Sequence, residues 1–286
     1  MKIVLDHKNF DRFGDAKYSV VNEFGFDGVA FSMCPTTELW YTAPIEESDA
    51  YLTKERERAE REGVKFLNCH GPWKVPWPDV TEEGLREKVE FTKRTIHNTR
   101  VLGAKYCVVH PFLPMDMYEK DDPEKSEITW KTNIAVLKEL LQVARKEDVV
   151  LCFENMPMLP FSLAKPRDIM RVVKEINDDH LKVCLDTGHA NIYNELTITD
   201  SLNVVKDDMR VMHVHDNFYN VDMHLFPFLG NTNWTEFSQA LKDIDYQYIF
   251  EPELDVSTRL DLELSRDALR IIKDTCDFLI NPEKFQ

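Results

Sequence analysis

Short apolar runs recur along the chain at residues 2–6, 28–33, 65–70, 105–110, 149–154, 182–186, 210–215 and 246–251. Each is rich in Val, Ile, Phe, Leu or Cys and alternates little, as parallel strands buried on both faces do. Amphipathic stretches separate them. Residues 46–62 and 82–102 have the charge-rich outer face of helices packed on a sheet, and 126–147 and 262–279 predict two more long helices. Shorter helices are expected at 16–23, 165–176, 199–206 and 233–243. Strands and helices alternate throughout, with no linker or low-complexity segment. The pattern predicts an α/β fold, a single (β/α)8 TIM barrel over residues 1–286. The alternative, an open doubly wound sheet, would place a glycine-rich phosphate loop after an early strand. The chain has only nine glycines and no GxGxxG among them.

Composition narrows the class. With 286 residues, 43% of them hydrophobic, the chain can bury a large core without staples. The six cysteines, Cys34, Cys69, Cys107, Cys152, Cys184 and Cys276, form no CxxC pair, and five lie inside apolar runs. They read as small buried hydrophobes in a reducing, cytoplasmic setting. No apolar run has transmembrane length, and the start, MKIVLDHKNF, lacks an apolar signal core, so neither membrane association nor a leader is expected. Lys and Arg total 35 against 51 Asp and Glu, a net charge of −16. Nucleic acid is therefore not the expected partner, because polyanion binding rests on neutralising phosphates. The acidic excess reads as solvated helix surface.

In a barrel of this kind the chemistry collects where the strands end. The residues there are His70, His110, Glu154, Asp186 with His189 just beyond, His213 and His215, and Glu251; the loop after the seventh strand adds Asp222 and His224. Six of the nine histidines thus share one face with four carboxylates. Burying that much carboxylate without a cation is costly, which points to a bound metal. Carboxylate oxygens mixed with imidazole nitrogens suit divalent Mn, Zn, Co or Fe, and the absence of cysteine ligands argues against a structural zinc knot.

Seven motifs in order carry a resemblance: HGPW at 70–73, VVHP at 108–111, FENMP at 153–157, LDTGHAN at 185–191, HVHDN at 213–217, DMHLFPFLGNTNW at 222–234 and FEPEL at 250–254. Together they resemble the xylose isomerase-like barrel superfamily, which includes sugar phosphate isomerases and epimerases, ketose 3-epimerases, inosose dehydratases and the endonuclease IV group. The resemblance implies one shared metal bound by Glu154, Asp186, His213 and Glu251. It also implies proton transfer between adjacent sugar carbons by Glu154 and Glu251. His213 is taken as the strand-seven ligand because the family's ligand stands three residues before an acidic residue, here Asp216. His215 is expected to point the other way. Substrate contacts are expected from His70, His110, His189, Trp73, Lys74 and His224, and Gly188 is expected to let its loop bend close to the site.

The chain departs from the ketose 3-epimerase pattern, with Pro160 where those enzymes carry a second glutamate and Tyr219 where they carry an arginine. Sugar contacts must then come from other loop residues, among them Trp77, Phe112, Phe226 and Phe228. A second reading follows the endonuclease IV group, whose three-metal site would map onto His70, His110, Glu154, Asp186, His189, His213, Asp222, His224 and Glu251. The isomerase or epimerase reading on a small carbohydrate is placed first, the multi-metal hydrolase second, and a keto-inositol dehydratase stays open within the first class. A barrel that binds a polyol without turnover ranks last, since both glutamates are present. The resemblance further implies a homo-oligomer.

Overall fold

The computed structural model describes residues 1–73, 81–112, 122–157, 163–193, 196–219, 221–256 and 259–285. Eight strands, β1 (Lys2–Asp6), β2 (Gly28–Ser32), β3 (Phe66–His70), β4 (Tyr106–Val109), β5 (Val150–Glu154), β6 (Leu181–Asp186), β7 (Met209–Val214) and β8 (Ile249–Pro252), close into one barrel in sequence order. Every neighbouring pair is parallel, including β1 with β8. The helices are α1 (Lys17–Glu23), α2 (Leu39–Thr42), α3 (Ile45–Arg61), α4 (Glu82–Val101), α5 (Pro123–Glu147), α6 (Pro166–Ile176), α7 (Thr187–Tyr193), α8 (Ile198–Val205), α9 (Trp234–Asp243) and α10 (Leu262–Ile280). This is the (β/α)8 barrel the periodicity predicts.

Strand side chains divide by parity. Val4, Ala30, Val108, Cys152, Cys184, Val211 and Ile249 point inward and fill the barrel floor. Their neighbours, such as Leu5, Val109, Leu151, Phe153, Leu185, Met212 and Phe250, point outward into the layer shared with the helices. Both faces are buried, which is why the runs do not alternate in sequence. All six cysteines are buried and unpaired. Among the described residues no helix is long and apolar enough to cross a membrane.

Besides the terminal 3-10 turn Pro282–Phe285, three elements were not expected. A 3-10 segment, His7–Ala16, kinked at Gly14, precedes α1 and tucks Phe10 into the core. The four-residue α2 buries Trp40. The third is α7, which begins directly after Asp186, where the sequence reads as a loop. Its first turn is held by the Asp186 carboxylate, whose Oδ1 accepts from the His189 backbone N–H at 2.6 Å.

Candidate metal centre

Strand pairing decides which carboxylates meet. Glu154 pairs with Cys184, two residues below Asp186; Asp186 pairs with His213; and His213 pairs with Glu251, two residues below Glu253. Closing a barrel tilts the strands and staggers their register, so residues on one level climb around the ring. Glu251 is thus the registered neighbour of His213, and Glu253, just past β8, also reaches Glu154, Asp186 and His213.

Three adjoining groups result. In the central one, Glu154, Asp186, His213 and Glu253 bring four ligand atoms within 4.8 Å of one another. His213 Nδ1 lies 2.8 Å from Glu154 Oε1 and 3.2 Å from Glu253 Oε1. A second group joins His70 and His110 to the other oxygen of the same glutamate, with Nε2 atoms 3.4 and 2.9 Å from Glu154 Oε2. The third comprises His189, His215, Asp222 and His224. There Asp222 Oδ2 is 3.2 Å from His189 Nε2 and 3.3 Å from His224 Nε2, and Asp222 Oδ1 is 3.6 Å from His215 Nε2. Asp186 joins the first group to the third, because its Oδ2 lies 3.1 Å from His215 Nε2.

The histidines are held as metal-binding imidazoles are, with the outer nitrogen fixed by an acceptor and the inner one turned to the site. His70 Nδ1 donates to the Gly71 carbonyl at 2.7 Å, His189 Nδ1 to the Asn155 carbonyl at 2.8 Å, and His224 Nδ1 to the Glu253 carbonyl at 3.1 Å. Each leaves Nε2 facing carboxylate. Glu154 Oε2 and Asp222 Oδ1 are buried and lack a hydrogen-bond partner among the described residues. Hard oxygen and imidazole donors, preset in this way, fit a divalent metal.

The segment carrying Asp222 and His224 is tied down from behind. Asp216, fully buried, accepts from Asn217 N (2.9 Å) and Thr232 N (3.2 Å) at Oδ1 and from Gly230 N (2.8 Å) and Trp234 Nε1 (2.8 Å) at Oδ2. Asn217 Nδ2 donates to the Gly188 carbonyl at 2.8 Å, linking this segment to the start of α7. Tyr219, His224 and Phe228 all adopt left-handed φ values of 58°, 46° and 75°. Such backbone is unfavourable for residues with a Cβ and persists where surrounding contacts fix it.

Charge is polarised across the site. Burial opposes ionisation of Glu154, yet the adjoining His213 and His110 hold its carboxyl well below the usual range. Asp186 is also lowered, with His189 and His215 outweighing its burial. Glu253 moves the other way: burial raises it, His213 opposes, and Asp186 and Glu154 add to the rise. Burial draws His110 down to about 4. For His189 burial is overcome by Asp186 and Asp222, which raise it to about 10. Protons on such imidazoles occupy the place a divalent cation would take, since metal ligation releases them.

The structure brings together His70, His110, Glu154, Asp186, His189, His213, Asp222 and His224. One expectation needs correction. His215 does not turn away; it is two residues from His213, and a period of two puts both on the inward face. Glu253, which sequence reasoning passed over, also gathers with Glu154, Asp186 and His213, while Glu251 pairs with His213 in register and faces its Nε2 at 3.6 Å. Glu251 also receives Asn68 Nδ2 at 2.6 Å. Gly188 has another role than bending: a Cβ there would stand 2.0 Å from His215 Cε1. Trp73 stands exposed, Phe112 is buried in the core, and Phe228 is exposed, packing against Trp234 and Phe278. Lys74, Trp77 and Pro160 lie outside the described residues.

The family model for the xylose isomerase-like TIM barrel matches residues 18–280. The chain belongs to this family. Among its relatives, a D-psicose 3-epimerase of Enterocloster bolteae is 29% identical over 208 residues, 70% of this chain and 66% of the relative. A protein named probable endonuclease 4 of Thermotoga petrophila is 23% identical over 226 residues, 74% of this chain and 73% of that one. The solved structure of a D-tagatose 3-epimerase-like protein superposes with a TM-score of 0.76, at 20% identity over 99% of both chains. The sugar epimerases and the endonuclease 4 proteins are thus both kin of this xylose isomerase-like barrel.

Proposed function

We infer that this protein is a divalent-metal-dependent isomerase or epimerase acting on a small carbohydrate. The observation that carries the reading is the central group, where carboxylates from β5, β6 and the end of β8 converge with one imidazole at the barrel mouth. Glu154, Asp186, His213 and a strand-eight glutamate would hold the ion, which when bound supplies Lewis acidity toward carbonyl and hydroxyl oxygens. Glu154 and the strand-eight glutamate come from well-separated strands and reach the same imidazole nitrogen, so they can serve two sides of one small substrate. One takes a proton from a carbon beside the carbonyl, and the other returns it to the neighbouring carbon or the opposite face. His70 and His110 lie against Glu154 Oε2, and His213 with His110 holds that carboxylate ionised. Trp73, exposed just past His70, offers an aromatic face to the sugar.

The relatives support a carbohydrate substrate, and the net charge of −16 speaks against a polyanion. The test is proton exchange. Metal-loaded protein is incubated in deuterated water with a panel of ketoses, ketose phosphates and keto-glycosides, and deuterium incorporation is followed by NMR. Incorporation by the wild type and its loss in Glu154→Gln, with the fold retained, is the expected result. Wild-type exchange in Glu154→Gln refutes the assignment.

A second reading, phosphodiester hydrolysis by several ions, is favoured by one feature: the His189, His215, Asp222 and His224 group beside the other two. Three tightly bound ions per chain, together with cleavage of an abasic-site duplex that His110→Ala abolishes, would replace the first reading with this one.

A further inference from the structure

The three residues that end β6 and open α7 each hold a different part of His215. Asp186 Oδ2 lies 3.1 Å from its Nε2. Thr187 Oγ1 donates to its carbonyl at 3.1 Å and accepts from its N–H at 3.3 Å. Gly188 leaves the space its ring fills, since a Cβ there would stand 2.0 Å from Cε1. Asp186, Thr187 and His215 are all fully buried. We propose that His215 is a positioning residue and not a metal ligand. It donates through Nε2 to Asp186 of the central group and carries His224 of the third group on its ring face, so one side chain sets both positions. The proposal deepens the metal-dependent reading above and rests on it.

Two features keep His215 from coordinating an ion. The first is its tautomer. His70, His189 and His224 each give the Nδ1 proton to a carbonyl, which leaves a lone pair on Nε2. His215 Nδ1 is buried and has no hydrogen-bond partner among the described residues. A neutral imidazole carries one N–H, and it belongs on the nitrogen that has an acceptor, here Nε2 facing Asp186. Nε2 then has no lone pair to offer. The second feature is a stack. The rings of His215 and His224 lie 9° from parallel with centroids 4.0 Å apart. Imidazole lone pairs lie in the ring plane, so one ion cannot stand on the axis of two rings that face each other. Of the pair, His224 is the ring turned to the ligand group: its Nε2 and that of His189 are 3.3 and 3.2 Å from Asp222 Oδ2.

From this place His215 acts on both groups. Its Nε2–H engages Asp186 Oδ2 while the His189 backbone N–H engages Oδ1, which fixes the rotation of the carboxylate. Its face supports His224, whose left-handed φ of 46° persists only with contacts from outside.

The test reads ring nitrogens and ions without turnover. In Zn²⁺-loaded protein with ¹⁵N-labelled histidine, long-range ¹H–¹⁵N NMR should show His215 protonated at Nε2, with neither nitrogen shifted by metal; its signals are those missing from His215→Phe. A metal-shifted His215 nitrogen overturns the proposal. Metal-free wild type, Asp222→Asn, His215→Phe and His215→Gln are then titrated with Co²⁺, with ions counted by elemental analysis and affinities taken from chelator competition. Asp222→Asn should bind one ion fewer than wild type and so identify the bands of the third position; an equal count overturns the coupling. His215→Phe keeps the ring face and loses the donor, so it should keep the wild-type count and weaken the central ion about 10- to 100-fold, the size of effect outer partners have on metal sites. His215→Gln keeps a donor and loses the face, so the weakening should fall on the third position instead. Loss of an ion in either variant, or equal weakening of both positions in both, overturns the assignment. If His215→Phe does not fold, His215→Gln decides by the same criteria, and the His215 signals are then assigned from it. Failure of the isomerase reading would show separately, as absent proton exchange with these results intact.

Discussion

Replacing Asp216 with alanine tests whether one buried carboxylate holds the third ligand group in place. Asp216 accepts four hydrogen bonds, three from backbone N–H groups and one from the Trp234 indole. Hydrogen bonds to a charged acceptor contribute about 1.5–3 kcal/mol each, so four together reach roughly 6 kcal/mol even at the lower figure. Against this, the left-handed residues Tyr219, His224 and Phe228 each cost about 1–2 kcal/mol, an expense the anchored segment sustains only while the anchor holds. The cheaper response to Asp216→Ala is therefore for the segment around Asp222 to open while the barrel stays folded, a local rather than global loss. Hydrogen exchange read by mass spectrometry should show Gly230 and Thr232 losing protection by a factor of 100 or more, about 3 kcal/mol of local opening. The metal count should fall while the Glu154, Asp186, His213 and Glu253 group still binds. Asp216→Asn should fall between, because one oxygen can keep two donors while the amide faces the other two. Retained protection at Gly230 and Thr232 with an unchanged metal count in Asp216→Ala would refute the reasoning.

Gly188→Ala should displace the His215 ring, since the added Cβ would stand 2.0 Å from Cε1 and 2.4 Å from Nδ1. A destabilisation of about 1–3 kcal/mol in urea unfolding, with weaker metal binding, is the outcome expected of overpacking at this place; wild-type values for both would show that the ring is not confined there. Asp6 gives a pH prediction away from the metal groups. Its burial opposes charge, but His7 and the Lys8 backbone N–H hold its pKa below the ordinary 3.8. A carboxyl depressed on folding contributes stability that is complete above its unfolded value and lost as pH falls through its folded one. The urea midpoints of wild type and Asp6→Asn should therefore differ at neutral pH and draw together as pH falls below 3.8, and a gap that does not narrow on acidification would contradict this.

The barrel is legible in the sequence because its strands are buried on both faces and its helices on one, so local composition carries the distinction. Tyr106–Val109 and Ile249–Pro252 differ from expectation only at their ends. The positions of Glu154, Asp186 and His213 follow from the same logic, each standing near the end of an apolar run. What was not legible depends on quantities no single strand contains. Glu253 lies just past β8, and only closure of the ring brings it within reach of Glu154 on β5. His215 is a different case, since its spacing from His213 already put both on one face. Asp186 serves two ends at once: Oδ1 starts α7 while Oδ2 faces His215.

The two kinds of support beneath the ligand groups evolve under different rules. The central group is written into strands whose heights are locked by ring closure, so no ligand there can shift without reshaping the whole barrel. Asp222 and His224 instead ride on a connection fastened from behind by Asp216 and Asn217. Insertions or substitutions in that connection can add, retune or delete a metal position while every strand stays as it is. An ion in the group of His189, His215, Asp222 and His224 would thus depend on one loop, whereas ions held by the other groups would depend on the strands.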